Sequence, residues 1–254
     1  MITEALLRVV INGLVVAGFT IAGSTISFTS VKMPRWGLDA ALSFAAGVML
    51  VTSFVGLITP AFASGLYLET GLGIFTGIVT VALLDVYLPH EHFIQGYEGP
   101  ESLRKKLKKA ILVAIAIMLH NIPEGLSVGV TTVFSEEVGF FTTIAIGIQD
   151  VPEGIAVALP LAVVWSSRLK GFLVGALSGL AEAVMAIIGA LVFSATAYTL
   201  GFGMGFASGA MIYVVVEEIL PEVFHEGSTH RRAASIGFFI GFFAMLYLDI
   251  LLTS

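Results

Sequence analysis

His120-Asn121-Ile122-Pro123-Glu124-Gly125 stands in the middle of one long apolar segment, and Gln149-Asp150-Val151-Pro152-Glu153-Gly154 stands in the middle of the next. The strings share Pro-Glu-Gly at a spacing of 29 residues. Each sets acids and amides into a stretch otherwise suited to hydrocarbon. Around them the chain is 57% hydrophobic and 12% charged, with a mean hydropathy of +1.00 over 254 residues. That is more apolar side chain than a soluble core of this size can hide, so the chain reads as a polytopic membrane protein.

Eight apolar segments of spanning length follow one another, near 5–27, 38–63, 66–89, 110–133, 139–164, 171–194, 199–224 and 233–253. The runs are continuous, whereas barrel strands alternate over about ten residues. An all-α bundle of eight transmembrane helices is therefore expected, forming one membrane domain over 1–254. The second and third segments meet only at Ser64-Gly65, yet merged they are far too long for one crossing.

With eight spans, the basic residues gather on one face: Lys32 and Arg35, then Arg104, Lys105, Lys106, Lys108 and Lys109, then Arg168 and Lys170, then Arg231 and Arg232. Only Arg8 lies near the other face. The positive-inside rule then puts both termini outside the cytoplasm and the polar stretch 90–109 inside it, its basic run at the lipid headgroups. A formal charge of -6 says little about partners, among which nucleic acid is not expected, and without cysteine there is no thiolate metal site. The first apolar stretch lacks the pattern of a cleaved leader and is expected to stay in the protein. Short loops and the lack of targeting segments point to a prokaryotic inner membrane.

At the midplane an ionised side chain costs at least about 2.5 to 3.5 kcal/mol, so His120, Asn121 and Glu124 need partners. Their spacings of three and four place all three on one helical face. Gln149, Asp150 and Glu153 repeat that arrangement on the fifth segment, which runs the opposite way, and an inverted-repeat organisation follows. Pro123 and Pro152 withhold an N–H and crowd the carbonyls of Leu119 and Ile148, so each helix is expected to bend at its polar cluster. Glu182 adds a carboxylate from the sixth segment.

The four acids Glu124, Asp150, Glu153 and Glu182 carry a charge of minus four when ionised, with no lysine or arginine at their depth. Two divalent cations balance it. Oxygen and imidazole donors without thiolate suit zinc, iron or manganese, and Met49, if it faces the cluster, softens the set toward zinc, cadmium or iron. Protons compete with metal for the same oxygens. Asn12, Asp249 and the small residues Gly13, Ala17 and Gly18 read as helix packing, and Asp39 as a cap of the second helix. The glycines Gly201, Gly203, Gly205 and Gly209 serve packing within one protomer or between two, and a homodimer is the expectation.

Interhelical hydrogen bonding alone accounts poorly for four acids, a histidine, an asparagine and two matched prolines. An intramembrane metal-dependent hydrolase is the alternative from another class. It lacks His-Glu-x-x-His, and Pro221 stands where glutamate-dependent membrane proteases carry an arginine after an adjacent pair such as Glu217-Glu218.

The chain resembles the ZIP (Zrt/Irt-like protein) family of divalent metal transporters over all eight segments, on His120 to Gly125 in the fourth and Gln149 to Gly154 in the fifth. Many members carry histidine where this chain has Gln149, a weaker ligand for a transition metal. The resemblance implies a two-metal centre with Glu124, Glu153 and Glu182 shared. His120, Gln149 and Met49 would serve mainly one ion, and Asn121 and Asp150 its neighbour. It also implies extracellular termini, uptake of zinc or another divalent transition metal as substrate, no cofactor, and a release route past His90, His92, Glu217, Glu218, Glu222 and His225.

Overall fold

A computed structural model describes residues 2–29, 33–91, 97–98, 109–224 and 230–253. Eight long helices fill it: α1 (Ile2–Ser24), α2 (Arg35–Ala63), α3 (Tyr67–Tyr87), α4 (Lys109–Phe134), α5 (Glu136–Val164), α6 (Arg168–Phe193), α7 (Ala197–Phe224) and α8 (Arg231–Thr253). All but α4 meet, on their described residues, the length and hydropathy needed to cross a membrane. With 26 residues α4 has the length as well. The protein is an all-helical membrane bundle, as its apolar segments predict. The exception to helix among the described residues is a two-residue antiparallel pairing, His90–Glu91 with Tyr97–Glu98, just past α3.

Side-chain caps open α5, α6 and α7. The Ser135 hydroxyl accepts from the Val138 N–H at 3.1 Å to start α5, and Thr196 and Thr199 form a reciprocal capping box at the start of α7. Between α2 and α3 the backbone turns at Gly65, whose φ of +79° is one that glycine adopts without strain.

The irregular turns lie in two helices other than α4 and α5. Both α4 and α5 run as unbroken α-helix through Pro123 and Pro152. Each of those prolines removes a single N–H, and the bonds of neighbouring turns hold the helix together. Instead α2 and α7 widen into π turns, at Thr52–Ile58 and Val214–Ile219. Each π turn stops two residues short of a proline, Pro60 or Pro221. A ring that displaces the carbonyl four residues back favours such a widening.

Packing carries the inverted repeat. The most extensive contacts join α3 with α7, α2 with α8, α4 with α6, α1 with α5 and α1 with α6. Exchanging α1 with α6, α2 with α7, α3 with α8 and α4 with α5 maps this set onto itself. The contacts of α2 with α5 and of α4 with α7 also interchange, as do the two π turns. One bundle is therefore α1, α4, α5 and α6, and the other α2, α3, α7 and α8.

Close backbone approach holds the second bundle together. Gly73 and Gly77 of α3 lie against the carbonyls of Phe202 and Phe206, while Gly205 and Gly209 of α7 lie against those of Thr70 and Ile74. Gly201 packs on Leu66 and Gly203 on Phe193. The glycine-rich face of α7 is thus occupied within the protomer. Large apolar side chains such as Phe75 and Leu83 on α3 and Phe239 and Phe243 on α8 point outward, as a lipid surface requires.

Candidate metal centre

The three polar residues on one face of α4 meet three different helices. The His120 imidazole Nε2 contacts Glu218 Oε2 of α7. The Asn121 amide donates to Glu182 Oε1 of α6. Glu124 Oε1 accepts from the Gln149 amide of α5 at 2.5 Å. Asn121, Glu124, Gln149, Asp150 and Glu182 are buried, and Glu153 is half-buried.

At the centre Glu124, Asp150 and Glu153 each present a ligand atom, all within 4.8 Å of one another. Two carboxylates ionised at that separation repel by on the order of 3 kcal/mol at an effective dielectric of about 20. Few donors relieve them. Glu124 Oε2, Gln149 Oε1 and Glu153 Oε1 are buried without a hydrogen-bond partner among the described residues. Asp150 stands beside Glu182, another acid. Acceptors gathered this tightly are residues that could hold a cation.

The glycine that closes each Pro-Glu-Gly has a steric role. A Cβ on Gly125 would sit 2.6 Å from Met185 Cβ and 3.0 Å from Glu182 Cα, so only a bare backbone lets α4 touch α6 at the level of the acids. Gly154 does the same for α5 against α1, where an added Cβ would meet the Thr20 carbonyl and sit 3.1 Å from the Ser24 backbone nitrogen. Both motifs thereby combine their polar residues with a helix contact.

Around this centre the other residues singled out in the sequence fall into several settings. Met49 is fully buried on α2 in the core cluster with Leu57, Met204 and Met211, and its carbonyl accepts from the Ser53 hydroxyl at 2.8 Å. Glu218 is buried at the His120 contact, Glu217 is exposed and Glu222 half-buried. His92 and His225 lie outside the described residues. Asn12 donates to the Thr132 hydroxyl at 2.9 Å, a bond between α1 and α4. Asp39 is not a cap. Pro34 holds the cap position of α2 and Asp39 lies within the helix, only 4% exposed.

His90 is fully buried just past the end of α3. Its Nδ1–H donates to the Leu88 carbonyl at 2.9 Å, which leaves Nε2 facing Asp85 Oδ1 at 3.0 Å. Burial opposes the imidazolium, but the Asp85 carboxylate, the Leu88 carbonyl and more distant Glu218 outweigh it and raise the His90 pKa above its ordinary 6.5. Asp85 also accepts from the Tyr213 hydroxyl at 3.0 Å.

Asp85, Tyr213 and Thr20 were not among the residues the sequence singled out. Asp85 left a signal, an acid in the last turn of an apolar segment. Thr20 left none, because a lone hydroxyl in a membrane helix is common. Its hydroxyl lies 3.1 and 3.3 Å from the two oxygens of Glu182.

A family model described as ZIP zinc transporter matches residues 89–249. Zinc transporter ZIPB of Bordetella bronchiseptica is 40% identical over 221 residues, covering 83% of this chain and 70% of its own length. Zinc transporter GufA of Myxococcus xanthus is 37% identical over 183 residues, 72% of this chain and 70% of its own. Zinc transporter ZupT of Chlorobaculum parvum is 33% identical over 240 residues, 85% of this chain and 86% of its own.

Proposed function

Because the chain belongs to the ZIP zinc transporter family, we propose that it carries zinc across a bacterial inner membrane into the cytoplasm, and that the buried carboxylate cluster holds the metal on its way. It is a membrane transporter and not an enzyme. The observation that carries the reading is the convergence of Glu124, Asp150 and Glu153 within 4.8 Å, with buried oxygens turned toward one another.

Four acids at this point, Glu124, Asp150, Glu153 and Glu182, match the charge of two divalent ions. Glu124, Glu153 and Glu182 lie between the ions. His120, Gln149 and Met49 complete one coordination sphere, and Asn121 and Asp150 the other. Nitrogen and oxygen donors without thiolate favour zinc, with ferrous iron and cadmium as competitors. Carboxylates shared between two ions can hand metal from one to the other, which keeps each binding step shallow enough for release.

Movement follows from the two bundles. Most of the cluster rides on α4, α5 and α6, whereas Glu218 belongs to α7 of the other bundle. An ion bound to the His120 nitrogen that Glu218 contacts has to displace Glu218, and a shift of one bundle against the other parts the two residues. Glu218 is then the next oxygen ligand on the way in. His90, His92, Glu217, Glu222 and His225 continue the route on the side where the basic loops lie, which also sets the termini outside the cytoplasm. A homodimer would form through a surface other than the glycine face of α7, which α3 already covers.

Uptake of radioactive zinc into liposomes carrying the purified protein tests this reading. Uptake should saturate, and unlabelled cadmium and ferrous iron should compete for it. Folded protein that admits no zinc under an imposed zinc or pH gradient would contradict it.

A further inference from the structure

Thr20 of α1 is fully buried where α1 passes between α5 and α6. Its hydroxyl lies 3.1 Å from Glu182 Oε2 and 3.3 Å from Oε1, close enough to donate to either oxygen. It also lies 3.4 Å from the Val16 carbonyl, one turn back on its own helix, a longer and weaker alternative. Asn121 of α4 donates to Oε1 as well. Glu182 is therefore a cluster acid held by donors from two other helices. Glu124 has one donor, from Gln149, and leaves its other oxygen buried without one.

The inverted repeat explains why a hydroxyl is found here. Gly125 of the first motif packs on the backbone of Glu182 in α6, and Gly154 of the second packs on the backbone of Thr20 in α1. Exchanging α4 with α5 and α6 with α1 brings these two contacts into correspondence. Thr20 is thus the counterpart of Glu182 across the pseudo-twofold axis. Two acids at these matched positions would bring a further acceptor to a cluster already short of donors. Threonine supplies a donor, and the two counterparts bond each other.

We propose that Thr20 is a positioning residue of the metal centre: its hydroxyl holds the Glu182 carboxylate in its ligating orientation, and so sets the affinity of the ion that Glu182 binds. The inference rests on the carboxylate cluster being the zinc site. A carboxylate fixed by two donors before the ion arrives loses less freedom on binding. Without Thr20, Glu182 keeps Asn121 as its amide donor and Asp150 as its acidic neighbour, and loses its hydroxyl donor. The backbone contact at Gly154 involves the carbonyl of Thr20, not its hydroxyl, so a side chain of the same shape keeps the packing.

Zinc titration calorimetry on detergent-solubilised protein tests the assignment with Thr20→Val, which keeps the shape, and Thr20→Ser, which keeps the hydroxyl. Wild type should bind two zinc ions, with one step weakened about 10-fold in Thr20→Val and changed by less than about 2-fold in Thr20→Ser, the effect typical of losing a partner behind a ligand. In a Glu182→Gln background Thr20→Val should add no further loss, because the carboxylate it positions is gone. Thr20→Val protein that binds zinc as wild type does would overturn the proposal. So would a loss that Thr20→Ser shares or that persists in the Glu182→Gln background. Absence of zinc binding by folded wild type would instead remove the site reading, and this inference with it.

Discussion

Zinc uptake into liposomes carrying Glu124→Ala protein falls to the level of empty liposomes, a loss of at least about 100-fold. Replacing a partner behind a metal ligand already costs about 10- to 100-fold, and the proposed function makes Glu124 itself a ligand shared by the two ions. Alanine removes one oxygen from each coordination sphere and leaves the Gln149 amide without its 2.5 Å acceptor. Folding should survive. The fully buried Glu124 carboxylate faces Asp150 and Glu153 within 4.8 Å, so its removal also relieves repulsion in the metal-free protein. The melting temperature in detergent should therefore stay near that of wild type while uptake disappears. Saturable uptake by this variant at more than about a tenth of the wild-type rate would contradict the site assignment.

Gly125→Val produces the opposite pattern, with the fold failing before the chemistry does. The added Cβ meets the Glu182 backbone and lies 2.6 Å from Met185 Cβ, and valine adds two branches beyond it. Overpacking a core typically costs about 1 to 3 kcal/mol. Here backbone meets backbone and neither helix can rotate a side chain away, so the loss should reach at least the upper end of that range. Thermal unfolding in detergent reads it as a large drop in melting temperature or as protein that cannot be recovered folded. A Gly125→Val protein as stable as wild type would mean that α4 and α6 do not meet at this glycine.

Those two residues also mark how far the sequence could be read. Length and continuous apolarity were enough for the eight helices, and the repeated Pro-Glu-Gly pointed to α4 and α5 as the helices that carry Glu124, Asp150 and Glu153. The expectation that Glu124, Asp150 and Glu153 find partners followed from their depth, because an acid set in hydrocarbon is costly to leave alone, and the fold brings an oxygen of each within 4.8 Å of the others. Where the helix breaks fall was not legible. The π turns precede Pro60 and Pro221 while α4 and α5 stay continuous through Pro123 and Pro152, since a proline allows several local outcomes and tertiary packing selects among them. Asp39 resembled a cap by its place near a segment start, but the helix begins earlier, at Arg35, and buries it. The partners of the polar face were equally hidden. Spacing put His120, Asn121 and Glu124 together, while only the fold could distribute them to Glu218, Glu182 and Gln149.

The glycine pattern was ambiguous for a related reason. A run such as Gly201, Gly203, Gly205 and Gly209 reports that something packs closely, without saying what. The inverted repeat resolves it by giving each close contact a counterpart, α3 on α7 and α8 on α2, inside one chain.

Anomalous scattering at the zinc edge from crystals of the wild-type protein grown with zinc tests the central claim most directly. The account predicts anomalous peaks enclosed by Glu124, Asp150, Glu153 and Glu182, at a position absent from the Glu124→Ala protein. Zinc found only elsewhere, with these carboxylates empty in protein that transports the metal, would contradict it.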